Sequence, residues 1–136
     1  MSNFNHPVVQ YGKVYDPQVI TFLLELIRRK NHLRSLIHFK SSCQERFFLV
    51  WVYMRNYGRL QRYPLAVDDK FPITEEGMNL FSSLENSQNI VLSVLEKVWN
   101  KYVLMNKLAD SLEGRFLDKI ILAFLGSPTF SIQIYE

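Results

Sequence analysis

Five cations recur along one stretch of the chain: Arg46, Arg55, Arg59, Arg62 and Lys70. Guanidinium and ammonium groups at such intervals can grip phosphates, which position a protein on nucleic acid without reading its sequence. Just upstream, Ser42 and Gln44 carry groups able to exchange hydrogen bonds with base edges. Other chemistry is poorly served. His32, His38 and Cys43 lie within one short segment but in no zinc-ligand spacing. Ordinary packing or surface placement accounts for them. Asp68-Asp69 reads as a turn rather than a cation site. Gly12, Gly58, Gly77, Gly114 and Gly126 are too scattered for a phosphate-cradling loop. A serine elbow of the G-x-S-x-G kind is missing. The reading is therefore a non-enzyme with no catalytic residue, no cofactor and no metal.

The 136 residues suit one domain, and 48% hydrophobic with 14% aromatic content can fill its core. The longest apolar run, FFLVWVYM at 47–54, is far short of the ~20 residues that cross a bilayer, so no membrane partner is expected. The first residues lack the basic start and apolar stretch of a signal peptide. Cys43 is alone, so no intrachain disulfide forms, and the natural location is intracellular, in the cytoplasm. Charge is uneven: residues 1–70 hold 11 cations against 5 carboxylates, and residues 71–136 hold 5 against 8. That asymmetry points to a polyanionic partner for the first half, or to plain surface solvation of both.

The elements that would position these groups read as mostly helical. Asp16-Pro17 opens a first helix, since Asp caps free amides and Pro suits the first turn. Its inward face is Val19, Ile20, Phe22, Leu23, Leu26 and Ile27. Lys30 and Arg34 would enter that face, so the helix breaks near Asn31 and a short second one covers 32–39. Ser42-Cys43-Gln44-Glu45 has the form of a capping box, predicting a third helix to about Tyr57. A buried strand is the rival, because Val, Phe, Trp and Tyr favour strands. Residues 59–73 read as extended segments about an Asp68-Asp69-Lys70 turn, with Pro64 and Pro72 keeping strands short or at an edge. Thr74 is expected to cap a helix, a long helix follows from Ser87, and a last one ends at Gly126. Both termini read as strands. The expected fold is a compact, mostly α-helical domain over 1–136, with short extended segments at 59–73 and at both termini.

Residues 50–81 resemble the end of a winged-helix DNA-binding domain of the PadR-like and MarR-like regulators. Gly58, Arg59-Leu60-Gln61-Arg62, Asp68-Asp69-Lys70 and Ile73-Thr74-Glu75-Glu76-Gly77 follow in that family's order. The resemblance implies a trihelical core plus wing over 16–74 and a helical hairpin over 75–126 for dimerisation. It implies a small DNA-binding transcriptional regulator and homodimer, with double-stranded DNA contacted by Ser42, Gln44, Arg46, Arg55, Arg59, Arg62 and Lys70. The alternative is a helical protein–protein interaction module: an adaptor, an inhibitor or a viral or phage accessory factor bound to another protein. In that vein, residues 44–60 and 95–102 resemble helices of regulator-of-G-protein-signalling domains. A continuous basic face would favour DNA, and an apolar groove between helices would favour the module. Trp51 and Trp99 are both expected to be largely buried.

Overall fold

The computed structural model describes residues 9–10, 12, 16–41, 46–77, 79–84, 90–106 and 116–127. Helix α1 (Pro17–Arg28) starts as expected: Asp16 Oδ1 accepts the N–H groups of Gln18 at 2.8 Å and Val19 at 3.3 Å. Val19, Ile20, Leu23 and Leu26 are its buried side. The chain breaks at Arg29, and α2 (Lys30–Leu36) turns Lys30 and Arg34 out to solvent.

From here the mostly helical expectation is overturned. The chain enters a three-stranded antiparallel sheet, β2 (Ile37–Ser41), β3 (Arg46–Asn56) and β4 (Arg59–Asp68), in that spatial order. The third helix is thus a strand, and the trihelical core with it. The physical reason lies in the apolar run. A helix apolar all round must be enclosed all round, whereas a strand needs only two faces. Val50 and Val52 point to the core and are fully buried, while Phe47, Leu49, Trp51 and Tyr53 alternate to the other side and are half-buried. The β-branched and aromatic residues decided the conformation. The capping box at 42–45 lies outside the described residues. β4 is an edge strand, as Pro64 suggested, but at 10 residues it is not short.

The helix expected from Thr74 is also absent. Gly77 donates to the Thr74 carbonyl at 2.9 Å, Ile73 bridges Asn79, and the chain reaches β5 (Ser83–Leu84). Gly77, at φ 81°, interrupts any helical course there. β5 pairs with β1 (Val9–Gln10), the described part of the expected N-terminal strand. The expected C-terminal strand lies outside the described residues.

The last two helices follow the periodicity. α3 (Val91–Met105) is the centre of the molecule, with Leu92, Val94, Leu95, Val98, Trp99 and Tyr102 buried. It packs on α1, β3 and β4. α4 (Phe116–Leu125) adds Ile120, Ala123 and Phe124 and lies against β3 and α1. The result is an α/β arrangement whose sheet has one face on the core.

Candidate nucleic-acid interface

Register determines what the other face presents. Across β3 and β4, Leu49 faces Ala66, Trp51 faces Pro64, Tyr53 faces Arg62 and Arg55 faces Leu60. Across β2 and β3, His38 faces Leu49 and Lys40 faces Phe47. No side chain of this set is fully buried; His38, Lys40, Arg55, Arg62, Pro64 and Ala66 are exposed. The core face carries the buried pair Val50 and Leu65 instead. The outer face is therefore an apolar and aromatic row along β3, flanked by cations on both neighbouring strands.

Arg62 binds this face together. Its guanidinium lies 5.0 Å from the Trp51 ring centroid, and its Nη2 donates to the Ser35 carbonyl at 3.0 Å. The Arg62 side chain thus links β4 to the Ser35 carbonyl of α2 while staying exposed. A cation over an aromatic face contributes about 0.5–1 kcal/mol at exposed sites. Trp51 is partly buried and packs against the core cluster, and Trp99 is buried at 4% exposure.

The same two strands run on into a hairpin tip. Tyr57 and Gly58 form its two-residue loop, with φ of 52° and 75°. Positive φ at both positions is the I′ geometry that matches strand twist. Gly58 takes it freely. Tyr57 is a side chain in a conformation that Gly or Asn adopts more cheaply, and it stands 98% exposed. Arg55 and Arg59 flank it, both exposed. Between Arg46 and Val67 the chain contains four arginines and no Asp or Glu.

At the other end of the sheet the nearest acid is neutralised. Lys97 of α3 pairs with Asp68 Oδ1 and also donates to the Lys70 carbonyl at 2.5 Å. That hydrogen bond, then the Lys70 N–H, holds the Asp68 carboxyl below its ordinary range. Lys101 donates to the Ala66 carbonyl at 2.6 Å. The two lysines close the free edge of β4 and are occupied by it.

Of the expected contact residues, the hairpin gathers Arg55, Arg59 and Arg62. Arg46 is at the far end of β3, roughly 30 Å away at ~3.4 Å per residue. Lys70 lies beyond β4 in a turn, its N–H bound to Asp68 Oδ1 at 3.0 Å. Ser42 and Gln44 lie outside the described residues. Phe47, Trp51, Tyr57, His38 and Lys40 were not anticipated; the alternation of a strand over 46–56 is the signal that finds them. His32 sits half-buried on α2 and His38 on the sheet, and among the described residues no cluster of three metal-ligating side chains occurs.

Two other features were candidates. Ser82, Ser93 and Glu96 form a polar knot inside the core: Ser93 donates to the Ser82 carbonyl at 2.6 Å, and the Ser82 N–H reaches Glu96 Oε1 at 3.4 Å. Gly12 donates to Ser82 Oγ at 2.8 Å, and a Cβ there would lie 2.3 Å from the Phe81 backbone, so only glycine fits. Burial pushes the Glu96 carboxyl up against the opposing pull of Ser82. At 1% exposure Glu96 has no access to a substrate. Separately, α1 and the start of α4 border an apolar groove of about 340 Å³ lined by Pro17, Thr21, Phe22 and Leu117. No protein-family model, curated protein or solved structure matches this chain.

Proposed function

We propose that the protein binds nucleic acid through the outer face and tip of the β3–β4 hairpin. The observation that carries this is the run of exposed Arg55, Arg59 and Arg62 about an acid-free hairpin, beside a partly exposed aromatic row. By register Arg55 and Arg62 share the outer face, while Arg59, paired with Asn56, stands beside the tip on the other side. Uncompensated cations clustered about one hairpin end concentrate a polyanion by counterion release. The winged-helix resemblance would use a helix over residues 42–57; with β3 there, the contact passes to the sheet. An intracellular DNA-binding regulator is compatible with this reading. Anisotropy of a labelled mixed-sequence oligonucleotide at low salt tests it. The wild-type chain should bind, and Arg55→Ala with Arg59→Ala should weaken binding at least tenfold. Failure of the wild type to bind, or an unchanged double variant, contradicts it. The apolar groove between α1 and α4 favours a second reading, a protein-interaction module, which becomes the working one in that event.

A further inference from the structure

The outer sheet face has a composition that a duplex does not exploit. A ribbon entering a major groove reads base edges through hydrogen-bonding side chains such as Asn, Gln, Ser and Arg. Here the face along β3 and β4 carries Phe47, Leu49, Trp51, Pro64 and Ala66, none of which offers the paired hydrogen-bonding groups that distinguish one base edge from another. Flat apolar surface is complementary instead to the faces of bases, and those are open only when the strand is unpaired. Its flanking charge, from Lys40 on one side and Arg62 on the other, is complementary to a phosphate backbone running beside it.

Resting on the nucleic-acid reading above, we infer that the ligand is a single strand, with bases stacked against the Trp51–Arg62 pair. Arg62 is tethered by the Ser35 carbonyl with its guanidinium centre 5.0 Å from the indole centroid, and its exposed side chain offers a base a planar, positively charged group beside the ring. Tyr57 at the tip supplies a second ring on the same hairpin, fully in solvent before binding. Asp68, the residue opposite Phe47, is paired with Lys97, which offsets its charge.

The test titrates the full chain with a labelled oligothymidylate, an oligouridylate and a blunt duplex of equal length, following anisotropy and intrinsic Trp emission. Trp99 is buried and stacked on Tyr102 at 5.6 Å, so quenching by a bound base reports on Trp51. Both single strands should bind at least tenfold tighter than the duplex, with emission quenched. Trp51→Phe should retain binding but lose most of the quenching, while Trp99→Phe should retain both. Arg62→Lys, which keeps the charge but loses the plane, should weaken the single strand several-fold and the duplex little. Duplex binding equal to or tighter than single-strand binding, or binding without quenching, overturns the single-strand assignment and leaves the polyanion reading standing. No binding to any of the three overturns both.

Discussion

At the residue scale, two positions combine an energetic cost with a location that explains it. Tyr57 holds φ at 52° in full exposure, where Asn or Gly would be easier. Left-handed backbone costs a side-chain residue roughly 1–2 kcal/mol. Tyr57→Asn should therefore raise stability by about 1 kcal/mol in urea unfolding while lowering nucleic-acid affinity. A variant that is more stable and binds equally well would make Tyr57 an ornament of the turn. Glu96 is the second position. Desolvation raises its carboxyl above the ordinary 4.5, so the folded chain holds that proton more tightly than the unfolded one. Its contribution to stability is full below the unfolded value, falls as pH rises through the folded value, and is constant above it. Among the described residues Glu96 Oε2 has no hydrogen-bond partner, which makes its charged form costly. Glu96→Gln should flatten that pH dependence and stabilise the fold at neutral pH. Parallel pH profiles for the two proteins would contradict this.

At the scale of elements, what the sequence disclosed depended on how locally each element is determined. α1 was legible because Asp16, Pro17 and a one-sided apolar stripe agree, and the break before α2 followed from Lys30 and Arg34. α3 was legible for the same reason of period. β3 reads as a helix in the sequence because its apolar residues occupy both faces, which hides the alternation that marks a half-buried strand. Thr74 has the look of a cap, but Gly77 soon after it and the contact between Ile73 and Asn79 turn the chain back. The arginine cluster was visible in the sequence, whereas the aromatic row was not, because only the strand pairing aligns Trp51 with Arg62. Long-range contacts also reassign Lys97 and Lys101. Placed in the acidic half, they look like free surface charge, yet they hold the β4 edge through the Ala66 and Lys70 carbonyls and Asp68. Replacing both with Met should lower stability by roughly 1–2 kcal/mol, since hydrogen bonds to charged groups contribute about that much. Nucleic-acid affinity should change less than twofold. Loss of affinity without loss of stability would mean that the lysines belong to the interface.

For the molecule as a whole, one division of labour emerges. The helices and the inner sheet face form the core, with Val50, Leu65, Leu95, Val98 and Phe124 enclosed together. Truncating Trp99 to Ala within it should cost about 3–5 kcal/mol. The outer sheet face and hairpin tip remain outside that core, so arginine variants there should change binding without unfolding the chain. The net charge of +3 understates this face, because the acidic residues lie elsewhere. Binding by released counterions makes the logarithm of affinity fall linearly with the logarithm of salt, by about 0.7 per phosphate contact on a single strand. The most direct measurement is therefore the salt dependence of oligonucleotide binding for the wild type and for Arg55→Ala with Arg59→Ala, both shown to be folded by urea unfolding. The account predicts a steep wild-type slope that drops by about 1.4 in the double variant, two contacts' worth. A slope near zero in the wild type, or one that two lost arginines leave unchanged, would contradict it.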